Sequence, residues 1–299
     1  MIINKSNLGI LNTGYKTAYR NAFSAVAQTY LRITTVIPSA TLIETYGWMK
    51  QTSGMREWIG ERFVKNLDSE VYQLKNKKYE ETVAVPRDSI SDDQYGTFTP
   101  AIAMMGENAA RLPEELIYLE ALPGGFTSKC YDGQYFFDTD HPVVDDKGVE
   151  QSVSNMQAGA SAPWYLLSTK RSLKPFIYQD REKAELIIKD NPETSDDVFN
   201  RDEFRYGTRA RGAAGYGFWQ TAFGSKAELS KANFEAAYLA MMQFKRDGGK
   251  PLGIVPDLLL VGPSNMSKAD EIITVQRLAN GSDNPNHKKV EVLVVPWLP

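Results

Sequence analysis

Asp138, Asp140 and His141, in the run DTDHP, are the residues best suited by type and spacing to do chemistry. Two carboxylates beside an imidazole can ligate a metal or pass a proton. The chain has one other histidine, His287, in the polar run GSDNPNHKK, and no HExxH or comparable ligand spacing. A turn in which Asp138 or Asp140 accepts from nearby backbone N–H groups explains the same residues at lower cost. Cys130 is the single cysteine, and no signature of a nucleophile surrounds it, so it reads as a buried structural thiol. The glycines of RGAAGYG miss the GxGxxG spacing, and neither GSKAEL nor VGPSNMSKAD contains a phosphate loop. Glu114 and Glu115 are adjacent, so they point to different sides of a helix and do not form an acid–base pair. They favour the N-terminal end of a helix that follows Pro113. No motif for chemistry survives, and no metal or cofactor is expected.

The elements that carry these residues belong to a soluble α+β chain. The 299 residues are enough for one large domain or two mid-sized ones with a real core. A net charge of -3 argues against a dedicated nucleic-acid binder, which needs a basic stripe to displace counterions from phosphates. One cysteine excludes an intrachain disulfide framework and fits a reducing cytoplasm. No run of about 18 apolar residues exists, so no membrane span is expected. The first twenty residues lack the apolar stretch and cleavage site of a signal peptide.

Leu8, Leu11, Tyr15, Ala18 and Tyr19 fall at helical spacing, with Asn4 or Ser6 as the cap. Ile33 to Ile37 is β-branched and stops at Pro38. The charged stretch from Glu57 to Val85 has turn-like LDSE and KNKK breaks between β-prone runs, and reads as a long hairpin. It lacks the residues to bury both faces, so it needs a partner surface. Ile102, Met105, Ala109, Leu112, Leu116 and Leu119 give the strongest helical pattern, roughly 30 Å long, which Pro113 should kink or restart and Gly124–Gly125 should end. Beyond it, Leu173–Gln179, Asp257–Val261 and Val290–Val295 read as strands. Ser230 caps a helix bearing Phe234, Ala237, Tyr238, Met241 and Met242, and a second helix spans roughly Lys268 to Leu278. The glycines of RARGAAGYGFWQ predict bends where backbones approach closely.

Five blocks change the reading: ETYGWMKQTSGMREWIGERFVKNL, YQLKNKKYEETVAVPRDSISDDQYG, CYDGQYFFDTDHP, SLKPFIYQ and YGTRARGAAGYGFWQTAFGS. In this order, and over nearly the whole chain, they closely resemble the major head subunit family of Mu-like bacteriophages and prophages. The resemblance implies a structural protein, not an enzyme, with the α+β Hong Kong 97-type capsid fold. It implies an N-terminal arm over 1–48, an extended hairpin loop over 49–85 and a peripheral domain with a spine helix over 86–125. An axial domain with parts of the peripheral domain would follow over 126–289, and a C-terminal strand over 290–299.

The implied function is self-assembly into pentamers and hexamers of an icosahedral shell around double-stranded DNA. The implied partners are copies of the chain itself, a scaffold-protease protein, portal and decoration proteins, and packaged DNA by weak non-specific contact. On the extended loop, Arg56, Glu57, Glu61, Arg62 and Lys65 are expected to form salt bridges to neighbouring subunits, with Trp58 and Phe63 as apolar anchors. No Lys–Asn pair is assigned to a covalent crosslink. Two other classes stand as alternatives: a phage tail or connector protein, and a metal-dependent hydrolase built on Asp138, Asp140 and His141.

Overall fold

The computed structural model describes residues 2–46, 72–93, 96–191, 195–278 and 280–299. Asn4 starts α1 (Lys5–Ala25) by accepting the Asn7 backbone N–H at 2.8 Å through its side-chain oxygen. The chain continues through β1 (Thr34–Pro38), β2 (Ile43–Thr45), β3 (Gln73–Lys75), β4 (Lys77–Pro86) and α2 (Arg87–Asp92). The long helix follows as α3 (Thr99–Glu115), a π-helical turn (Leu116–Ala121) and α4 (Leu122–Gly124). Pro113 neither stops nor restarts it. The proline ring removes one N–H, and the Leu116 N–H that comes next is shared between the carbonyls of Leu112 and Pro113. From Thr99 to Gly124 the helix runs about 39 Å at 1.5 Å per residue, longer than its periodicity predicts.

Next come β5 (His141–Val144), β6 (Glu150–Val153), β7 (Met156–Gln157) and β8 (Trp164–Leu167). Two long strands, β9 (Phe176–Lys189) and β10 (Glu203–Tyr216), flank α5 (Asp196–Arg201). The chain ends through β11 (Ala222–Ser225), α6 (Lys231–Gln243), β12 (Leu258–Val261), α7 (Met266–Ala269) and β13 (Glu291–Val294).

Two sheets organise these elements. The first has strand order β1-β9-β10-β4, with β1 parallel to β9 and the other pairs antiparallel. Helices α1 and α3 cover one face of it, burying Leu8, Tyr15, Tyr19, Ile102 and Met105 against Val85, Phe204 and Tyr206. The helices touch at Gly106, where an added Cβ would lie 2.4 Å from the carbonyl oxygen of Tyr19. The second sheet has order β13-β12-β8-β11-β7. Its central strands β8 and β12 are buried at every residue, as expected for a layer covered on both faces. Phe234, Ala237 and Met241 of α6 pack into the same core as Ile117 and Tyr118 of the long helix and Phe176 of β9. That shared core joins the two sheets.

Three sequence expectations are corrected by this pairing. KNKK is not a hairpin turn: only Asn76 separates β3 from β4, and β4 pairs along its whole length with β10. Residues 77–86 therefore belong to the first sheet and not to a projecting loop. The N-terminal stretch is not an arm apart from the body, because α1 lies in the core of its own chain and β1 is an edge strand. The glycines of RARGAAGYG do not break the strand: β10 runs through Gly212 and Gly215, with register shifts against β9 between Arg209 and Gly212. They still mark close approach, since a Cβ at Gly215 would meet Leu74 at 2.4 Å. The second C-terminal helix is also shorter than expected, comprising α7 and a π turn over Asp270–Thr274.

Candidate functional site

The residues read as chemically suspect do not converge. His141 is fully buried, whereas Asp140 is exposed and turns away from it. A hydrogen bond that its protonated form donates to the Asp138 carboxylate, with some desolvation and the nearby like charge, raises the Asp140 carboxyl above its ordinary range. Asp138 also accepts from the backbone N–H groups of Tyr135 and Thr139, the local turn that its sequence predicts.

The buried partner of His141 is Asp132, with Nδ1 and Oδ2 2.6 Å apart. The other ring nitrogen, Nε2, faces Asn155 Oδ1 at 3.2 Å. Asn155 Oδ1 also accepts from the Asp138 N–H, and its Nδ2 donates to Phe136, Trp219 and Ala222 carbonyls. Both ring nitrogens thus have an oxygen partner within the fold. Trp219 stacks on the ring at 4.0 Å between centroids. Cys130 Sγ completes the group by donating to Asp132 Oδ1 at 3.0 Å. Burial, reinforced by the Asp132 charge, pushes the Cys130 thiol far above its usual range. Burial alone would raise Asp132 too, but the His141 bond and charge outweigh it and hold the carboxyl below its ordinary value.

Cys130, Asp132 and His141 are the one set among the described residues whose ligand atoms gather closely enough to suggest an ion, within 4.8 Å. The contacts are those of hydrogen bonds. Two ligands sharing a zinc ion stand about 3.4 Å apart, given metal–ligand bonds of about 2.0–2.3 Å in a tetrahedron. A nitrogen and an oxygen at 2.6 Å share a proton. A thiol held protonated is likewise a poor ligand. The cluster is a buried polar clasp that ties the 130–141 loop to Asn155 beneath the second sheet.

A second clasp sits on the long helix. Glu114 is buried and its Oε1 accepts the Thr29 N–H at 2.5 Å and hydroxyl at 2.8 Å, while Oε2 accepts Trp297 Nε1 at 3.2 Å. One carboxylate thereby joins the segment after α1, the long helix and the residues after β13. The sequence reading missed this role, as it missed Asp132 and Asn155; Glu114 and Asn155 act through residues distant in the chain, and Asp132 through a loop whose fold no motif signals.

The third constellation frames residues 47–71. β2 and β3 pair antiparallel, and the Tyr46 N–H donates to the Tyr72 carbonyl at 2.8 Å. Beneath them, the Tyr46 hydroxyl donates to Gln179 Oε1, and Gln179 Nε2 donates to Asn76 Oδ1, both at 2.8 Å. Asn76 Nδ2 donates in turn to Ser39 Oγ and the Thr41 carbonyl. The Tyr72 hydroxyl oxygen accepts the Tyr216 N–H of β10 at 2.9 Å. Leu74, Leu173, Ile177 and Ala213 fill the space around them. The two chain ends of the 47–71 segment therefore leave from a fixed, fully bonded base. Arg56, Glu57, Trp58, Glu61, Arg62, Phe63 and Lys65 lie outside the described residues.

A long helix laid on one sheet and a second mixed sheet joined to it through a common core together define a shell-forming subunit of the Hong Kong 97 type. Solved structures of the same architecture include the procapsid of bacteriophage JBD30, at 46% identity, TM-score 0.86 and coverage of 99% of this chain and 100% of the other. The JBD30 capsid matches at 35% identity and TM-score 0.78, covering 99% of each chain. Among curated relatives, the major capsid protein of Escherichia phage Mu is 34% identical over 307 aligned positions, covering both chains fully. A Mu-like prophage FluMu major head subunit from Haemophilus influenzae is 38% identical, covering 88% of this chain and 87% of its own.

Residues 8–298 match the family model described as Mu-like prophage major head subunit gpT, and the chain belongs to that family. It is a major capsid protein, a structural component of the virion and not an enzyme.

Proposed function

We infer that this subunit builds its shell as rings of five and six, with the 47–71 segment lying across a neighbouring copy. The observation that carries the reading is the bonded base formed by Tyr46, Tyr72, Asn76 and Gln179, which fixes where a projecting segment leaves the body. In this reading α1, α3 and the first sheet make up the peripheral domain, and the second sheet with α6 makes up the axial domain around the ring centre. One subunit must close both rings, so its contacts are heterologous, and each copy presents two different surfaces. On the projecting segment, Arg56, Glu57, Glu61, Arg62 and Lys65 supply networked ion pairs and Trp58 and Phe63 the apolar anchors.

Assembly in the host cytoplasm with a scaffold-protease, a portal, and weak non-specific contact with enclosed double-stranded DNA completes the proposal. A JBD30 capsid is decorated with minor capsid protein trimers, and an accessory protein of that kind is proposed here as well. Negative-stain electron microscopy of the chain, expressed with and without its scaffold partner, is the test. Rings of five and six or closed shells are expected; tubes or rings of one other symmetry would refute the reading in favour of a tail or connector. Reversing Glu61 and Arg62 together should block assembly while leaving the subunit's melting unchanged.

A further inference from the structure

The second sheet has two free edges, β13 and β7, about 19 Å apart at four strand spacings of about 4.8 Å. They carry opposite and unsatisfied charge. Beside β13 lies an open pocket of about 510 Å³ lined by Lys170, Lys288 and Lys289 together with Val255, Ile273 and Val292. The two acids at this pocket are already engaged. Asp257 accepts the Thr169 N–H at 2.6 Å and hydroxyl at 2.7 Å, and Glu291 is paired with Arg32. Lys170 and Lys288 are exposed and have no acidic partner among the described residues.

At the other edge, Asn155, immediately before β7, donates its backbone N–H to the Asp138 carbonyl at 3.0 Å and so fixes the Asp138–Asp140 turn there. These two carboxylates lie close enough to share a hydrogen, and among the described residues neither has a Lys or Arg partner. Both edges also expose an apolar side chain near the charges: Val255 in the pocket and Tyr135, whose N–H bonds to Asp138, at the turn.

We propose that the lysine-lined pocket beside β13 receives the Asp138–Asp140 turn of the next copy, so that second sheets meet edge to edge in a head-to-tail ring. This rests on the ring-forming reading above and names its contact. A nucleic acid would satisfy the lysines and leave the acid pair at the far edge unpaired, whereas a second copy satisfies both edges at once. Because the contact is heterologous, each subunit gives one edge and receives the other, and the chain of contacts closes. DTDHP then acts as a docking element.

The test uses the full chain and three variants: D138N/D140K, K170E/K288E and the fourfold swap. Each is followed by thermal melting, sedimentation velocity and negative-stain microscopy. Both double variants should melt like the parent, yet need about tenfold or more subunit for half-maximal ring formation, as like charges meet at every contact. The swap should restore rings, since each contact again pairs opposite charges. One further result is specific to a two-edged contact. Mixing the two double variants joins a chain with two basic edges to one with two acidic edges, so they alternate and give rings of six but not of five.

Rings from either double variant at the parent's concentration would overturn the proposal. So would a swap that melts normally and forms none. Normal rings from K170E/K288E with lost binding to a 30-base-pair duplex would overturn it in favour of a DNA-facing pocket. Absence of rings or shells from the parent chain would instead overturn the ring reading, and this contact with it.

Discussion

Replacing Glu114 with Ala tests whether one buried carboxylate joins three distant segments. The substitution strands the N–H groups of Thr29 and Trp297, which now meet Oε1 at 2.5 Å and Oε2 at 3.2 Å. A buried donor left without a partner costs about 1–3 kcal/mol. Two such donors, less the relief of no longer burying the carboxylate, give a net loss of about 3 kcal/mol. Glu114→Gln keeps an oxygen for Thr29 but sets an amide N–H₂ against the Trp297 N–H, so its loss is about 1 kcal/mol. For a chain of this size one kcal/mol moves the melting temperature by about 2 °C, so Ala should lower it by about 6 °C and Gln by about 2 °C. Trp297→Phe removes the same bond from the other side. The Gln and Phe losses should therefore not add in the double variant. Differential scanning calorimetry of the unassembled subunit reads all four. An Ala variant within 1 °C of the parent, or full additivity of Gln and Phe, would refute the clasp.

Three other perturbations follow from the same structure. Gly106→Ala gains about 1 kcal/mol of helix propensity but places a Cβ 2.4 Å from the Tyr19 carbonyl, and overpacking at about 1–3 kcal/mol should win, so urea unfolding should shift to a lower midpoint. Asp132→Asn takes the charge out of the buried hydrogen bonds with His141 and Cys130, and urea unfolding should shift to a midpoint lower by the equivalent of about 1–3 kcal/mol. Backbone N–H groups of Thr41 and Ala40 and the Ser39 hydroxyl hold Glu44 at about 2 instead of 4.5. Its contribution is therefore full above pH 4.5 and fades as pH falls towards 2, and a Glu44→Gln subunit should show a flatter dependence of melting on pH across that window.

Much of the helical framework was legible because each helix carries its own evidence. Asn4 and Ser230 cap where their types predict, and Ile102, Met105, Leu116 and their neighbours mark the long helix by spacing alone. The short strands β12, fully buried, and β13, at the sheet edge, announced themselves as leucine or β-branched runs. The two longest strands did so only at the Phe176–Gln179 start of β9. In β9, EKAELIIK alternates charge with apolar residues because only one face is covered by helices. In β10 the glycines that admit Leu74 and Tyr72 read as breaks, since nothing local reveals what they make room for. The clasps were invisible for the same reason. Asp132 and His141 are near in sequence, but Asn155 and Trp219 arrive from elsewhere, and Glu114 is completed by Thr29 and Trp297.

The pairing of β4 with β10 has a consequence for synthesis. β4 is complete at Pro86, but its partner begins only at Glu203, so the ribosome adds more than a hundred residues before the two can meet. At 5–20 residues per second, that leaves β4 an unpaired strand for roughly 6–24 s. A nascent strand bearing Tyr79, Val83 and Val85 is a template for pairing with the same strand on the next nascent chain, and a shell protein is made in many copies at once. The charges of KKYEETVAVP answer that hazard. Lys77, Lys78, Glu80 and Glu81 surround Tyr79 and flank the TVAV run on one side, with Pro86 on the other, as gatekeepers do, and keep the strand soluble until β10 arrives.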